Sequence, residues 1–196
     1  MDRTVAVNRA TKETTIRIEL NIDGKGRADI SSGNGFFDHM MNLFAGHGFF
    51  DLTLECSGDT QIDFHHSAED IGILLGRAFG EALGDCKGIT RYCTMYLPMD
   101  ESLARVCIDI AGRANLVYNV PLVDRRINDF ECDLVEDFFK AFCDNARITM
   151  HVDLIRGRNS HHSVEAVFKA FARALSGACA INTRAPDQIP TTKGVL

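Results

Sequence analysis

Four histidines stand in two matching pairs, His65-His66 and His161-His162, each opening a His-His-Ser-x-Glu segment, HHSAE at 65–69 and HHSVE at 161–165. Residues four apart share one face of a helix, so His65 with Glu69, and His161 with Glu165, can each grip a single cation. Neighbouring residues on a helix point roughly 100° apart, which aims the second imidazole of each pair elsewhere. Two such helices suit two ions whose ligands cross between them. A carboxylate in the first turn also sits well at the positive end of the helix dipole. Imidazoles and carboxylates without thiolate suit borderline-to-hard divalent ions such as Mn, Fe, Ni or Zn. Four protein ligands on an octahedral ion leave positions open, as catalysis requires and a structural site does not.

The remaining histidines extend this reading. His39 lies in FFDHMM and His151 in ITMHVDL, each among apolar neighbours. A lone histidine in such a place is ordinarily a satisfied core residue, but four His and two Glu already call for more ligands. With His39 and His151 added, six His and two Glu make two sites of three imidazoles and one carboxylate. His47, between Gly46 and Gly48, reads equally as a helix cap or a pocket wall. Basic residues at punctuation points (Arg91 after Gly-Ile-Thr, Arg113 after Gly112, Lys169 two turns into the last helix and Lys193 in the tail) hint at an anionic substrate, although each taken singly reads as a surface charge.

Elements able to position these residues follow from periodicity. TTIRIELNID at 14–23 alternates as a strand, a turn at Gly24-Lys25-Gly26 leads to a short strand near 27–30, and a helix spans about 36–47. A strand at 50–56 and an amphipathic helix from His65 to Leu83 follow. The order then recurs: strands near 91–97, 103–110 and 116–120, a helix over about 129–143, a strand at 147–155 and a helix over 161–180. HHSAEDIGILLGRAFGEALG lies on HHSVEAVFKAFARALSGACA with Arg77/Arg173, Ala78/Ala174 and Ala82/Ala178 also identical, 96 residues apart. We read an internal duplication of a ββαβα unit, repeats of about 1–90 and 91–196, packed as a single α+β body without a Pro-, Gly- or Ser-rich linker.

Composition narrows the class. The net charge of −6 and the lack of a basic run speak against nucleic acid or anionic membranes as partners. No apolar stretch approaches the roughly 20 residues of a membrane helix, and MDRTVAVNRATKET lacks the apolar core of a signal peptide. Seven cysteines without a Cys-x-x-Cys pair read as reduced core fillers of a cytoplasmic protein.

Along essentially its whole length the chain resembles the imidazoleglycerol-phosphate dehydratases. The stretches that carry the likeness are R-x-T-x-E-T (Arg9–Thr14), FFDHM, HHSAEDIGILLG, GITRY, PMDESLARVCIDIAGR, RITMHVDLIRGRNSHHSVEAVFKAFARAL and PTTKGVL. Departures are mild: Phe64 stands where the family usually has Asp, Ala114-Asn115 replaces Pro-Tyr, and Phe37 and Met41 replace aliphatics.

The resemblance implies two four-stranded sheets around a helical layer, a fold like domain 2 of ribosomal protein S5. It implies two Mn²⁺, one on His39, His66, His161 and Glu165 and the other on His65, Glu69, His151 and His162. Glu13 matches a substrate-contacting carboxylate and, with Glu69 and Glu165, completes the catalytic carboxylates. Arg91, Arg113, Lys169, Thr191, Thr192 and Lys193 match substrate and phosphate contacts. The implied reaction removes water from imidazole glycerol phosphate to give imidazole acetol phosphate in histidine biosynthesis, with the imidazole ring as electron sink and Glu13 as candidate for proton transfer. The implied assembly is a homo-oligomer of 24 subunits with active sites between chains. A dinuclear phosphoesterase would need a bridging carboxylate that neither HHSxE supplies, and a metal-storage or sensor protein would favour carboxylate-rich or cysteine sites.

Overall fold

The computed structural model describes residues 3–194. In the first half, strands β1 (Thr4–Ala10), β2 (Thr14–Asn21) and β3 (Ala28–Ser31) precede helix α1 (Gly35–Gly48), strand β4 (Asp51–Gly58) and helix α2 (His65–Leu83). In the second, β5 (Tyr92–Met99), β6 (Ser102–Asp109) and β7 (Asn115–Asn119) lead through a small hairpin, β8 (Arg126–Ile127) and β9 (Phe130–Glu131), to α3 (Leu134–Ala146), β10 (Thr149–Arg156) and α4 (Ser160–Cys179). Both sheets have one topology, β1-β2-β4-β3 and β5-β6-β10-β7. In each, the last-named pair is parallel, β3 with β4 and β7 with β10, and the other pairs are antiparallel. The duplicated unit is therefore βββαβα.

The first unit thus carries one strand more than the ββαβα reading. TVAVNRA of β1 lies on a sheet edge with no fully buried residue, so its alternation is weakly apolar. The helix read from Asp129 begins instead at Leu134. Phe130, Leu134 and Phe138 are spaced four apart and all buried, which imitates a helix face, but Asn128 turns left-handed (φ 54°) and closes the hairpin.

Helices fill the space between the sheets. Helix α2 lies on β1 and β2, α4 on β5 and β6, and across the repeats α1 packs on α4 and α2 on α3. Aromatic rings knit the halves into one core: Phe44 stacks on Phe171 at 5.1 Å, Phe37 meets Phe138 at 5.3 Å and Phe79 meets Phe142 at 5.6 Å. Each such pair contributes about 0.5–1.5 kcal/mol beyond its buried area. Helix α2 approaches α3 closely because Gly72 and Gly76 face the α3 backbone. All seven cysteines are free thiols. Burial pushes Cys132 up to about 11 and Cys143 and Cys179 up to about 12, so these three stay protonated and uncharged.

Candidate metal centre and anion pocket

Because α1 packs on α4, a histidine on one meets the first turn of the other. His39 of α1 and His161 of α4 each place Nε2 3.3 Å from Oε2 of Glu165, one turn beyond His161. These three ligand atoms lie within 4.8 Å of one another, and this is the single three-residue cluster of its kind among the described residues. Asn159 caps α4 by accepting from the backbone N–H groups of His161 and His162, which fixes the direction in which both rings leave the helix. The Phe36 ring supports His161 edge-on at 5.2 Å. Glu165 is 7% exposed, and its other oxygen accepts from Lys169 Nζ. Burial alone would raise the Glu165 carboxyl, but the Lys169 ammonium and His39 outweigh it and hold the group ionised.

The second imidazole of each pair is clamped differently. His66 Nδ1 donates to Asp59 at 3.1 Å, leaving Nε2 outward, 3.9 Å from Oε1 of Glu13. His162 Nδ1 donates to Glu101 at 2.9 Å, and Glu101 also accepts from the Asn159 amide at 3.0 Å. Both imidazoles are raised above their ordinary value, chiefly by these hydrogen bonds. His162 in turn lowers Glu101 to about 2. A carboxylate on Nδ1 fixes the tautomer and presents Nε2 as the donor, the usual arrangement behind a metal-bound histidine.

The expected sets of four are not complete within one chain. His66 lies outside the His39–His161–Glu165 cluster, and no group of three forms from His65, Glu69, His151 and His162 among the described residues. His65 Nδ1 lies 3.6 Å from Asp137 of α3, and Glu69 is exposed. His151 is exposed on the face of the second sheet turned away from the helices, between Cys107 and Val117 on neighbouring strands. His47, left open by the sequence, ends α1, with its ring lowered by partial burial and by the Lys169 and Arg173 cations. Phe64 belongs to the core, 5.4 Å from Phe37, and the preceding Asp63 accepts from the His65 amide.

The predicted anion contacts converge at the far end of the second sheet. Arg91, Arg113, Thr191, Thr192 and Lys193 line one open pocket of about 500 Å³ with the chain at 188–190 as its wall. Arg91 is left-handed (φ 76°). Its side chain bonds Asp109 at 2.8 Å and the Pro190 carbonyl at 2.7 Å, tying the tail to the sheet. Lys169 stands apart from this pocket, on Glu165.

Sequence reading missed Asp59, Glu101 and Asp137, since an acidic residue in a turn or on a helix surface carries no mark of its partner. A faint sign existed for Glu101: like Glu13, it immediately precedes a buried hydroxyl residue, Ser102 or Thr14, that opens the second strand of a repeat.

Known proteins resemble the chain in sequence and in fold. The sequence model of imidazoleglycerol-phosphate dehydratase matches residues 32–175. The protein of that name from Thermoanaerobacter sp. (strain X514) is 54% identical over 194 residues, 99% of this chain and 100% of its own length. That from Pelobacter propionicus is 52% identical over 196 residues and the full length of both. The crystal structure of the Staphylococcus aureus N315 dehydratase superposes with a TM-score of 0.83 at 43% identity, covering 91% of this chain and 99% of the other. That of the Pyrococcus furiosus protein in complex with (S)-C348 gives 0.80 at 32% identity, over 97% and 100%. Matched at this identity over its full length and in fold, the chain belongs to the imidazoleglycerol-phosphate dehydratase family of hydro-lyases.

Proposed function

We propose that this enzyme converts imidazole glycerol phosphate to imidazole acetol phosphate in histidine biosynthesis, in the cytoplasm, with two Mn²⁺ per active site. The observation that carries the reading is the His39–His161–Glu165 cluster. Ligands about 2.1 Å from one ion and at right angles stand about 3 Å apart, and the two imidazole–carboxylate separations here are 3.3 Å. The donor set fits the ion as well: neutral imidazole and an ionised carboxylate suit Mn²⁺, and no cysteine belongs to the cluster.

His39, His66, His161 and Glu165 would hold one ion, and His65, Glu69, His151 and His162 the other. Mn²⁺ held there would supply Lewis acidity and stabilisation of negative charge on the substrate. Asp59 and Glu101 keep Nε2 of His66 and His162 outward. Arg91, Arg113, Thr191, Thr192 and Lys193 bind the phosphate, and Lys169 contacts the substrate beside Glu165. Glu13, outside the outward nitrogen of His66, moves the side-chain proton. Neither ligand set is complete within one chain, and His151 faces away from the helices. Both facts support active sites shared between chains, and the family resemblance gives that assembly as a shell of 24 subunits.

The test is direct: incubate the Mn-loaded protein with imidazole glycerol phosphate and follow formation of the acetol phosphate. Inertness toward it, together with hydrolysis of a generic phosphate ester, would replace this reading by a phosphoesterase.

A further inference from the structure

The R-x-T-x-E-T segment surrounds Glu13 with polar groups whose partners are long-range. Arg9 meets Asp70 through Nε at 2.9 Å and Nη2 at 2.8 Å, and Thr14 Oγ1 donates to the other Asp70 oxygen at 2.5 Å. Asp70 lies in α2, is 6% exposed and directly follows Glu69. Thr11 Oγ1 accepts from the amides of Glu13 at 3.1 Å and Thr14 at 2.9 Å. The Glu13 carbonyl accepts from the amide of Asp59, the residue whose carboxylate holds His66.

The second repeat keeps the same sheet topology without this network. The position of Asp70 is taken by Ala166, fully buried. Arg9 stands opposite Ile16, two residues past Thr14, and in the second repeat Leu97 stands opposite Ala104, two past Ser102. An apolar pair thus fills the place of the ion pair. Buried ion pairs stabilise little against such replacements. There the turn glutamate, Glu101, bonds His162 at the inner nitrogen Nδ1, whereas Glu13 is held off the outer nitrogen of His66.

We propose that Arg9, Asp70, Thr14 and Thr11 are positioning residues that hold the Glu13 carboxylate at the outward face of His66. The inference rests on the proton-transfer reading of Glu13. Small displacements of a reacting group cost large factors in rate, so Asp70→Asn, which keeps the shape and removes the charge facing Arg9, lowers kcat about tenfold with KM and metal content per chain unchanged. Thr11→Val, at an exposed position where folding is not at stake, lowers kcat by about threefold. Amide exchange at Glu13 and Thr14 accelerates in both variants.

The deciding measurement is a double-mutant cycle with Glu13→Gln. In the Glu13→Gln background neither Asp70→Asn nor Thr11→Val lowers kcat further. An equal loss in both backgrounds, or undiminished kcat in Asp70→Asn and Thr11→Val beside an impaired Glu13→Gln, overturns the positioning role alone. Full turnover by Glu13→Gln removes the proton-transfer reading, and the inference with it. If Asp70→Asn does not fold, Thr11→Val alone decides the cycle.

Discussion

Helix α2 predicts opposite signs for one substitution at three positions on its α3-facing side. A methyl group at Gly72 would lie 2.6 Å from the Phe138 carbonyl oxygen and 2.9 Å from Ala141 Cβ. At Gly76 it would lie 2.6 Å from the Phe142 carbonyl oxygen and 2.9 Å from the Ala146 amide nitrogen, but at Gly80 the nearest atom, the Asn145 carbonyl oxygen, is 3.8 Å away. Ordinary contact begins at 3.4 Å, so α3 must retreat by about 0.8 Å at the first two sites and not at all at the third. The obstructing oxygens belong to the backbone, and no rotamer change moves them. Overpacking of this kind costs about 1–3 kcal/mol, against about 1 kcal/mol that alanine contributes over glycine inside a helix. Gly72→Ala and Gly76→Ala should each destabilise by up to about 2 kcal/mol, whereas Gly80→Ala should stabilise by about 0.5–1 kcal/mol. For a chain of this length each kcal/mol moves Tm by about 2–4 °C. Thermal melts followed by circular dichroism, in chelator and at one protein concentration to hold ion and assembly constant, decide the matter. A Gly72→Ala protein melting above the parent, or Gly80→Ala melting below it, refutes the packing argument.

Four more outcomes follow from the site. Chelation should abolish turnover and Mn²⁺ restore it, and His161→Ala should lower metal per chain; unchanged metal content in that variant counts against the cluster. Arg113→Ala and Lys193→Ala should raise KM on the order of tenfold to a hundredfold, the loss of a charge-assisted contact, with metal content intact. For pH, the Asp59 and Glu101 carboxylates raise His66 and His162 above 6.5, so a metal must displace protons there and Mn²⁺ affinity should fall as pH drops through a midpoint above 6.5. In the metal-free protein the raised His162 contributes stability below 6.5 that is lost as pH rises through its folded value. The depressed Glu101 contributes stability above 4.5 that is lost as pH falls toward about 2. Glu101→Gln should return the His162 midpoint toward 6.5 in an NMR titration, and an unmoved midpoint would rule out the carboxylate as cause. Light scattering after size exclusion should give a mass many times the 21.7 kDa chain that falls on chelation; an active, metal-bound species of one chain's mass would rule out shared sites.

Elements were legible where burial is one-sided and dense. Helices α2 and α4 carry long apolar faces, and their boundaries agree with the sequence reading within a residue. Edge strand β1 was illegible because neither of its faces is fully buried. The doubled HHSxE nominates four imidazoles and two carboxylates without any structure, and of these the structure gathers His161 and Glu165 with His39. Partners were not legible. Glu101 meets His162 and Asp70 meets Arg9 across 61 residues of chain, and such pairings arise from strand register and helix crossing, which local sequence does not encode.

The duplication also accounts for an asymmetry between the two motif copies. Helix α1 packs on α4 and α3 on α2, so each HHSxE start faces a helix of the other repeat. At α4 that helix offers an imidazole, His39, and a three-ligand cluster closes within the chain. At α2 it offers a carboxylate, Asp137, 3.6 Å from His65, and among the described residues no third ligand gathers there. The ligand proposed to complete the set with His65 and Glu69, His151, sits exposed on the outer face of the second sheet beside exposed Val117. Under the proposed ligand sets, a residue on that face would serve a helix start of another copy of the chain. Each ion thus joins chains, and the free energy of metal binding becomes free energy of assembly.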